Sequence, residues 1–97
     1  MKSVNIGICG LGTVGSGTFN VLARNAGLIN ARAGCDINVT VVGARRDNAS
    51  CDTAQVVVER DIFALASRPD VDIIVELIGG TTTAKELVLQ AIANGKH

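Results

Sequence analysis

Aromatic residues and long apolar runs are scarce in this chain of 97 residues. Only 2% of the residues are aromatic, with neither Trp nor Tyr, although 47% are hydrophobic. A core must therefore be built from Val, Ile, Leu and Ala, which is typical of buried parallel sheets. Asn5 and Gly7 interrupt the first apolar run, and no run is long enough to span a membrane. The composition predicts one small domain with no membrane partner and no signal peptide.

Neither sign of charge is in excess, and residues that ligate metals are few. Nine Lys and Arg balance nine Asp and Glu, which gives no support to a nucleic-acid partner. The three cysteines, Cys9, Cys35 and Cys51, are widely spaced and match no metal-ligand pattern. They are predicted to be free thiols, which favours a reducing, cytoplasmic compartment. His97 is the single histidine, and no nucleophile with an activating base is recognisable.

A glycine-rich turn follows the first apolar segment. The turn reads Gly10-Leu11-Gly12-Thr13-Val14-Gly15 and stands between a predicted strand and a predicted amphipathic helix. In the G-x-G-x-x-G pattern the first glycine makes a tight turn, and the second leaves room where phosphates pass. The third glycine lets the helix pack closely on the strand. The pattern predicts a pyrophosphate site formed by Gly10, Leu11, Gly12, Thr13, Val14 and Gly15.

Strands and helices are predicted to alternate along the chain. The strands are Val4–Cys9, Ile37–Val42, Val56–Glu59 and Val71–Ile78. The helices cover residues 13–25, a short piece within 27–34, residues 61–66 capped by Asp61, and residues 83–94 stopped by Gly95. This order predicts an α/β fold, a Rossmann-like doubly wound parallel sheet of about four strands with helices on both faces. Residues 43–51 are predicted to form an exposed loop.

The fourth strand is nearly continuous in apolar residues and is therefore predicted to be central. Glu76 interrupts it, and since a buried carboxylate needs partners, we interpret it as a structural acceptor, with a site role as the alternative. Thr83 and Glu86 have the spacing of a capping box. The ending 95–97 is expected to lead into another strand, with His97 at its start. Without that strand the sheet has an uncovered edge, so residues 1–97 are expected to be the N-terminal part of a longer protein.

The second strand predicts which nucleotide is preferred. An acidic residue usually stands at its end and binds the adenosine ribose hydroxyls. Here Arg45 and Arg46 stand there instead, and guanidinium groups suit a 2′-phosphate through charge-assisted hydrogen bonds. The sequence favours NADP(H) over NAD(H). The alternative is a solvated loop in which Asp47 pairs with the two arginines.

A second loop that faces the ligand is expected after the fourth strand. Gly80 and Thr81 lie there, and they could approach or hydrogen-bond a ribose or an amide. Helix capping accounts for these two residues equally well, so both interpretations stay open.

Several segments resemble homoserine dehydrogenase. They are residues 4–15, residues 42–46, the E-L-I-G-G stretch within residues 71–80, and the A-N-G-K-H ending within residues 91–97. The resemblance implies an NAD(P)-dependent oxidoreductase that interconverts L-homoserine and L-aspartate-4-semialdehyde in threonine, methionine and isoleucine biosynthesis. It further implies pyrophosphate binding by residues 11–15, a 2′-phosphate contact by Arg45 with help from Arg46, and a nicotinamide ribose near Gly80 and Thr81.

The family's lysine-bearing next strand, its substrate and catalytic domain and its dimerisation segments have no counterpart in these 97 residues. The resemblance therefore implies that residues 1–97 form an NAD(P)-binding domain that binds cofactor without catalysing the reaction, within a homo-oligomeric enzyme acting on a small molecule. The competing hypotheses are another two-domain dehydrogenase and a non-enzymatic dinucleotide sensor.

Overall fold

The computed structural model describes residues 3–44, 51–54, 56–78 and 82–97. Its strands are β1 (Ser3–Cys9), β2 (Asp36–Gly43), β3 (Val57–Glu59) and β4 (Ile73–Glu76). Its helices are α1 (Thr13–Arg24), α2 (Ala26–Ala33), α3 (Ile62–Ala66) and α4 (Thr82–Ala93). None of these described helices has the length and apolarity needed to cross a membrane.

All four strands are parallel and lie in the order β3-β2-β1-β4. The predicted parallel sheet of four strands is confirmed. The register between β1 and β2 shifts by one residue, because Thr40 is an extra residue opposite the step from Ile6 to Gly7. β4 is the last strand in the order of the four described strands, but the backbone of His97 pairs with its outer edge, so the central position of β4 stays a prediction that depends on the further strand. Its apolar residues reflect helices on both faces, whereas its lateral position depends on strand pairing.

Helices cover both faces of the sheet, as the sequence predicted. On one face Phe19 of α1 packs in a buried cluster with Ile8 of β1 and Val42 of β2. On the opposite face Val41 of β2 packs in a second cluster with side chains of α3 and α4, among them Leu87. Neighbouring residues such as Val41 and Val42 separate in this way because successive strand side chains point to opposite faces. The doubly wound arrangement is confirmed.

The helix ends agree in part with the capping predictions. Asp61 caps α3, as predicted, because its Oδ1 accepts the backbone N–H of Phe63 at 3.0 Å. The predicted capping box at Thr83 is wrong, since α4 begins at Thr82 and Thr83 lies inside the first turn. The short piece expected within residues 27–34 is the two-turn helix α2, which ends at Gly34 with φ 72°.

The stop at Gly95 is confirmed. Gly95 has φ 73° and donates to the carbonyl of Ile92 at 3.0 Å. The N–H of Lys96 bonds the carbonyl of Ala91 at 2.9 Å, and the two bonds together form a Schellman motif. The motif directs the chain from α4 back toward the sheet.

The backbone of His97 lies along the outer edge of β4. Its carbonyl accepts the N–H of Ile74 at 2.7 Å, and its N–H donates to the carbonyl of Asp72 at 3.2 Å. This alternating pattern is that of a parallel strand pair. It agrees with the prediction that His97 begins a further strand.

The exposed loop predicted for residues 43–51 needs a correction. Gly43 is the last residue of β2, and both Gly43 and Ala44 are buried. The N–H of Ala44 still bonds the carbonyl of Glu59 at 3.0 Å, so the pairing of β2 with β3 extends past the strand end. Residues 45–50 lie outside the described residues.

Candidate functional site

The glycine-rich turn occupies the point where the strand order reverses. It follows the carboxyl end of β1, which has β2 on one side and β4 on the other. Gly10 donates to the carbonyl of Gly43 at 2.7 Å, and Leu77 donates to the carbonyl of Cys9 at 2.9 Å. The turn is therefore held by both neighbouring strands. In open parallel sheets this position is where ligands bind.

The first glycine has a backbone conformation that other residues rarely adopt. Gly10 has φ +105°, a value that disfavours residues with a Cβ. A Cβ there would lie 2.9 Å from Cγ2 of Ile78 and 3.0 Å from the carbonyl oxygen of Leu77. The turn thus needs glycine for its conformation and for its contact with the chain that follows β4.

The third glycine lets α1 approach the turn. A Cβ built at Gly15 would lie 1.9 Å from the carbonyl oxygen of Gly10 and 2.7 Å from its carbon. Those atoms belong to the backbone and cannot rotate away as a side chain would. The first turn of α1 is therefore pressed against the strand end, as the motif predicts.

The second glycine leaves an open approach to the helix. Gly12 is the N-cap of α1, is exposed, and has no atom within 4 Å of the position of a Cβ. Its carbonyl accepts the N–H of Ser16 at 2.9 Å, which begins the helical ladder. The N–H groups of a first helical turn lack intrahelical acceptors, and the helix dipole favours an anion beside them. No acidic residue stands in the first turn of α1, so the site fits a pyrophosphate.

Leu11 and Val14 have different environments within the turn. Leu11 is buried and belongs to the cluster on the α1 face, which anchors the turn to the core. Val14 is 64% exposed at the start of α1. Any contact of these residues with phosphate would use their backbone amides, since neither side chain has a polar atom. Thr13 begins α1, and its backbone belongs to the same turn.

The Cys9 thiol beneath the turn is inert. Burial, together with a smaller contribution from the nearby carboxylate of Glu76, raises the pKa of Cys9 from 9.0 to about 12. A thiol with that pKa stays protonated at neutral pH and is a poor nucleophile. Glu76 accepts the backbone N–H of Ile78 at 2.8 Å through Oε1. This hydrogen bond is the structural role predicted for Glu76.

The four remaining predicted site residues lie outside the described residues. They are Arg45, Arg46, Gly80 and Thr81. The chain enters their segments from Ala44, directly after β2, and from Ile78, two residues after β4. Both points lie at the carboxyl edge of the sheet, where the glycine turn also lies. Their predicted roles stay predictions.

Sequence reasoning missed Arg60, which reaches the same edge from a third strand. Arg60 directly follows β3, and its Nη1 donates to the carbonyl of Ala44 at 3.0 Å. The guanidinium group therefore lies beside the residue that follows β2. The available signal was an arginine at the end of a predicted parallel strand, because carboxyl ends of parallel strands share one edge.

A cavity of about 390 Å³ lies away from this edge. Its lining includes Phe19 and Leu22 of α1, Ile29 of α2, and Ile37 and Val39 in the first half of β2. The cavity is mainly apolar and opens on the face of the sheet. It is separate from the glycine turn.

Sheet order, glycine turn and open helix N-terminus together define a class of protein. The chain is a Rossmann-like domain of the NAD(P)-binding class. A model of the family described as homoserine dehydrogenase, NAD binding domain, matches residues 10–97. The chain belongs to this family.

Relatives share the whole length of the chain. A homoserine dehydrogenase of Pseudomonas aeruginosa is 60% identical over 97 residues, covering 100% of this chain and 22% of the relative. One of Methylobacillus glycogenes is 50% identical and is covered to 24% of its length. The crystal structure of a homoserine dehydrogenase from Thiobacillus denitrificans is 48% identical, with a TM-score of 0.88 over 100% of this chain and 23% of that one. The chain thus spans less than a quarter of these relatives.

Proposed function

We propose that this chain is the cofactor-binding part of a homoserine dehydrogenase that prefers NADP(H), with NAD(H) as a weaker ligand. The observation that carries the proposal is the open N-terminus of α1 at Gly12, in a chain that belongs to the family. Whole relatives named homoserine dehydrogenase support the substrate. The domain corresponds to residues 1–97, and the substrate domain to the part of the relatives that this chain does not cover.

The proposed reaction is a reversible hydride transfer. L-homoserine loses the hydride from the carbon that bears its hydroxyl group, and the hydroxyl proton leaves with it. The products are L-aspartate-4-semialdehyde, reduced cofactor and one proton. The nicotinamide supplies the hydride acceptor, and the contribution of this chain is to bind and orient the cofactor.

The pyrophosphate lies over the first turn of α1 in this proposal. Backbone N–H groups of residues 11–15 donate to its oxygens, with Thr13 and Val14 at the helix start. Gly10 and Gly15 shape the turn, and Gly12 leaves the space through which the phosphates approach. A side chain at Gly12 would occupy that space without touching the protein.

The two ends of the cofactor meet residues on either side of the turn. Arg45, with help from Arg46, binds the 2′-phosphate at the adenosine end, because no carboxylate stands directly after β2. Gly80 and Thr81 approach the nicotinamide ribose after β4. The support for both roles is sequence position at the carboxyl edge of the sheet.

Catalysis requires the rest of the enzyme. The chain covers 22% and 24% of two relatives named homoserine dehydrogenase, and the substrate domain corresponds to the part that it does not cover. We therefore expect the isolated chain to bind cofactor without turnover. The whole enzyme would act in the cytoplasm as a homo-oligomer.

Calorimetric titration of the chain with NADPH and NADH tests the proposal, and it suits a chain that lacks Trp and Tyr. Gly12→Ala is expected to weaken both cofactors by about tenfold or more, because a methyl group displaces an oxygen from hydrogen-bonding distance. Gly17→Ala is the matched control in the same helix, since its Cβ also meets nothing within 4 Å.

Three results would contradict the proposal. A folded wild-type chain that binds neither cofactor would show that it is not a cofactor-binding unit. Equal cofactor affinity of the Gly12→Ala and Gly17→Ala variants would show that the pyrophosphate does not bind at the turn. Equal affinity for NADPH and NADH would refute the preference for NADP(H).

A further inference from the structure

We propose that Arg60 is a specificity-determining residue that binds the 2′-phosphate of NADP(H) from the end of β3. The inference rests on the proposed function and adds to it a residue from a strand that the G-x-G-x-x-G pattern does not involve. Its ligand is the phosphate monoester on the adenosine ribose.

Backbone pairing places Arg60 close to the end of β2. The N–H of Ala44 bonds the carbonyl of Glu59 at 3.0 Å, which carries the β2–β3 pairing one step past Gly43. The side chain of Arg60 then turns back to Ala44, with Nη1 3.0 Å from its carbonyl oxygen. This bond is partly buried, and it holds the guanidinium at the carboxyl edge.

The place reached by Arg60 is where the fold discriminates between nucleotides. In dinucleotide-binding sheets the group that meets the adenosine 2′ position stands at the end of the second strand. Here the first residue past that strand is the buried Ala44, and Arg45, to which the proposed function assigns the 2′-phosphate, follows it in sequence. Arg60 adds a further cation to that place from the neighbouring strand. A planar guanidinium matches the oxygens of a phosphate group.

The two nearest carboxylates in sequence have partners at the start of α3. Glu59 accepts the N–H of Asp61 at 3.4 Å, and Asp61 accepts the N–H of Phe63 at 3.0 Å. Both carboxylates thus bond backbone amides at the helix start. Nη1 of Arg60 donates in the other direction, to the carbonyl of Ala44 just past β2.

The test compares Arg60→Gln with Arg32→Gln by calorimetric titration with NADPH and NADH at matched salt. Arg32 is exposed in the last turn of α2, which leads into the amino end of β2. Both changes remove one positive charge, but Arg32 lies at the opposite edge of the sheet. Arg60→Gln is expected to weaken NADPH about tenfold and NADH less than twofold, as for the loss of one charge-assisted contact. Arg32→Gln should change neither.

Each outcome decides between the two proposals. Selective loss of NADPH affinity in Arg60→Gln supports the inference, and the retained NADH affinity shows that the site is still formed. Unchanged NADPH affinity, or an equal loss of both cofactors by a folded variant, overturns the inference and leaves the proposed function intact. Failure of the folded wild-type chain to bind either cofactor overturns the proposed function, and the inference with it.

A conservative variant covers the case in which Arg60→Gln does not fold. Arg60→Lys keeps the charge and loses the planar fork, so it should weaken NADPH about threefold and leave NADH unchanged. A folded Arg60→Lys with the wild-type ratio of NADPH to NADH affinity would refute a guanidinium–phosphate contact.

Discussion

Replacing Gly15 by Ala tests the physical reason for the third glycine of the turn. The added Cβ would lie 1.9 Å from the carbonyl oxygen of Gly10, whereas real Cβ atoms essentially never come within 3.0 Å of another atom. The helix start and the strand end must therefore separate by at least about 1.1 Å. The carbonyl belongs to the turn that β2 and β4 hold, so α1 has to move. Its movement would loosen Phe19 from the core.

The expected cost follows from two opposing terms. Overpacking of a rigid site typically costs about 1–3 kcal/mol, and backbone contact places this site at the upper end. Ala in place of Gly favours a helix interior by about 1 kcal/mol, which offsets part of that cost. We expect Gly15→Ala to lower the free energy of unfolding by about 2 kcal/mol. Gly17→Ala, which meets nothing, should raise it by about 0.5–1 kcal/mol.

The assay is urea denaturation followed by circular dichroism, with wild type and both variants at one protein concentration. Opposite signs for two Gly→Ala changes in one helix would show that contact with Gly10, and not helix propensity, decides the stability. If Gly15→Ala were as stable as Gly17→Ala, the close approach of α1 to the turn would be refuted.

Two further predictions concern the buried Cys9 and the half-buried Lys96. Burial is the main cause that raises the pKa of Cys9 from 9.0 to about 12. Between these pH values the folded protein keeps a proton that the unfolded chain loses. The free energy of unfolding should therefore fall from pH 9 to pH 12, by up to about 4 kcal/mol. Cys9→Ala should flatten this dependence of the free energy of unfolding on pH, measured by urea titration. Parallel pH profiles of wild type and Cys9→Ala would show that Cys9 is not the group responsible. Lys96→Met should cost about 1–3 kcal/mol, because Nζ of Lys96 donates to the carbonyl of Val71 at 2.6 Å. The control is Lys85→Met on the exposed side of α4. Equal stability of the two variants would contradict a stabilising role of the hydrogen bond from Lys96.

Local patterns predicted much of the fold because their causes are local. The roles of Gly10, Gly12 and Gly15 could be assigned from spacing, and the geometry agrees with each role. The cap at Asp61 and the stop at Gly95 were also predictable, since each depends on residues within a few positions. The family was recognisable from segments spread over the whole chain, and it is confirmed.

Capping at Thr83 was predicted incorrectly, and the strands that lie beside β4 could not be derived from its apolar composition. The spacing of a capping box does not say where the helix begins, and α4 begins one residue earlier. A run of apolar residues shows that both faces of a strand are covered, but it does not show which strands lie beside it. The pairing partners of β4 are set by the crossover connections of the whole chain.

The amino-acid sequence by itself determined the class of fold, the glycine-rich turn and the family, because glycine spacing and strand–helix alternation are readable along the chain. Only the tertiary structure decided that Arg60 lies beside Ala44, that β4 lies between β1 and the backbone of His97, and that burial raises the pKa of Cys9. Each of these facts depends on atoms that are distant in sequence and become neighbours only when parallel strands align. Because the strands are parallel, their carboxyl ends lie at one edge of the sheet, and the residues of the candidate site follow those ends.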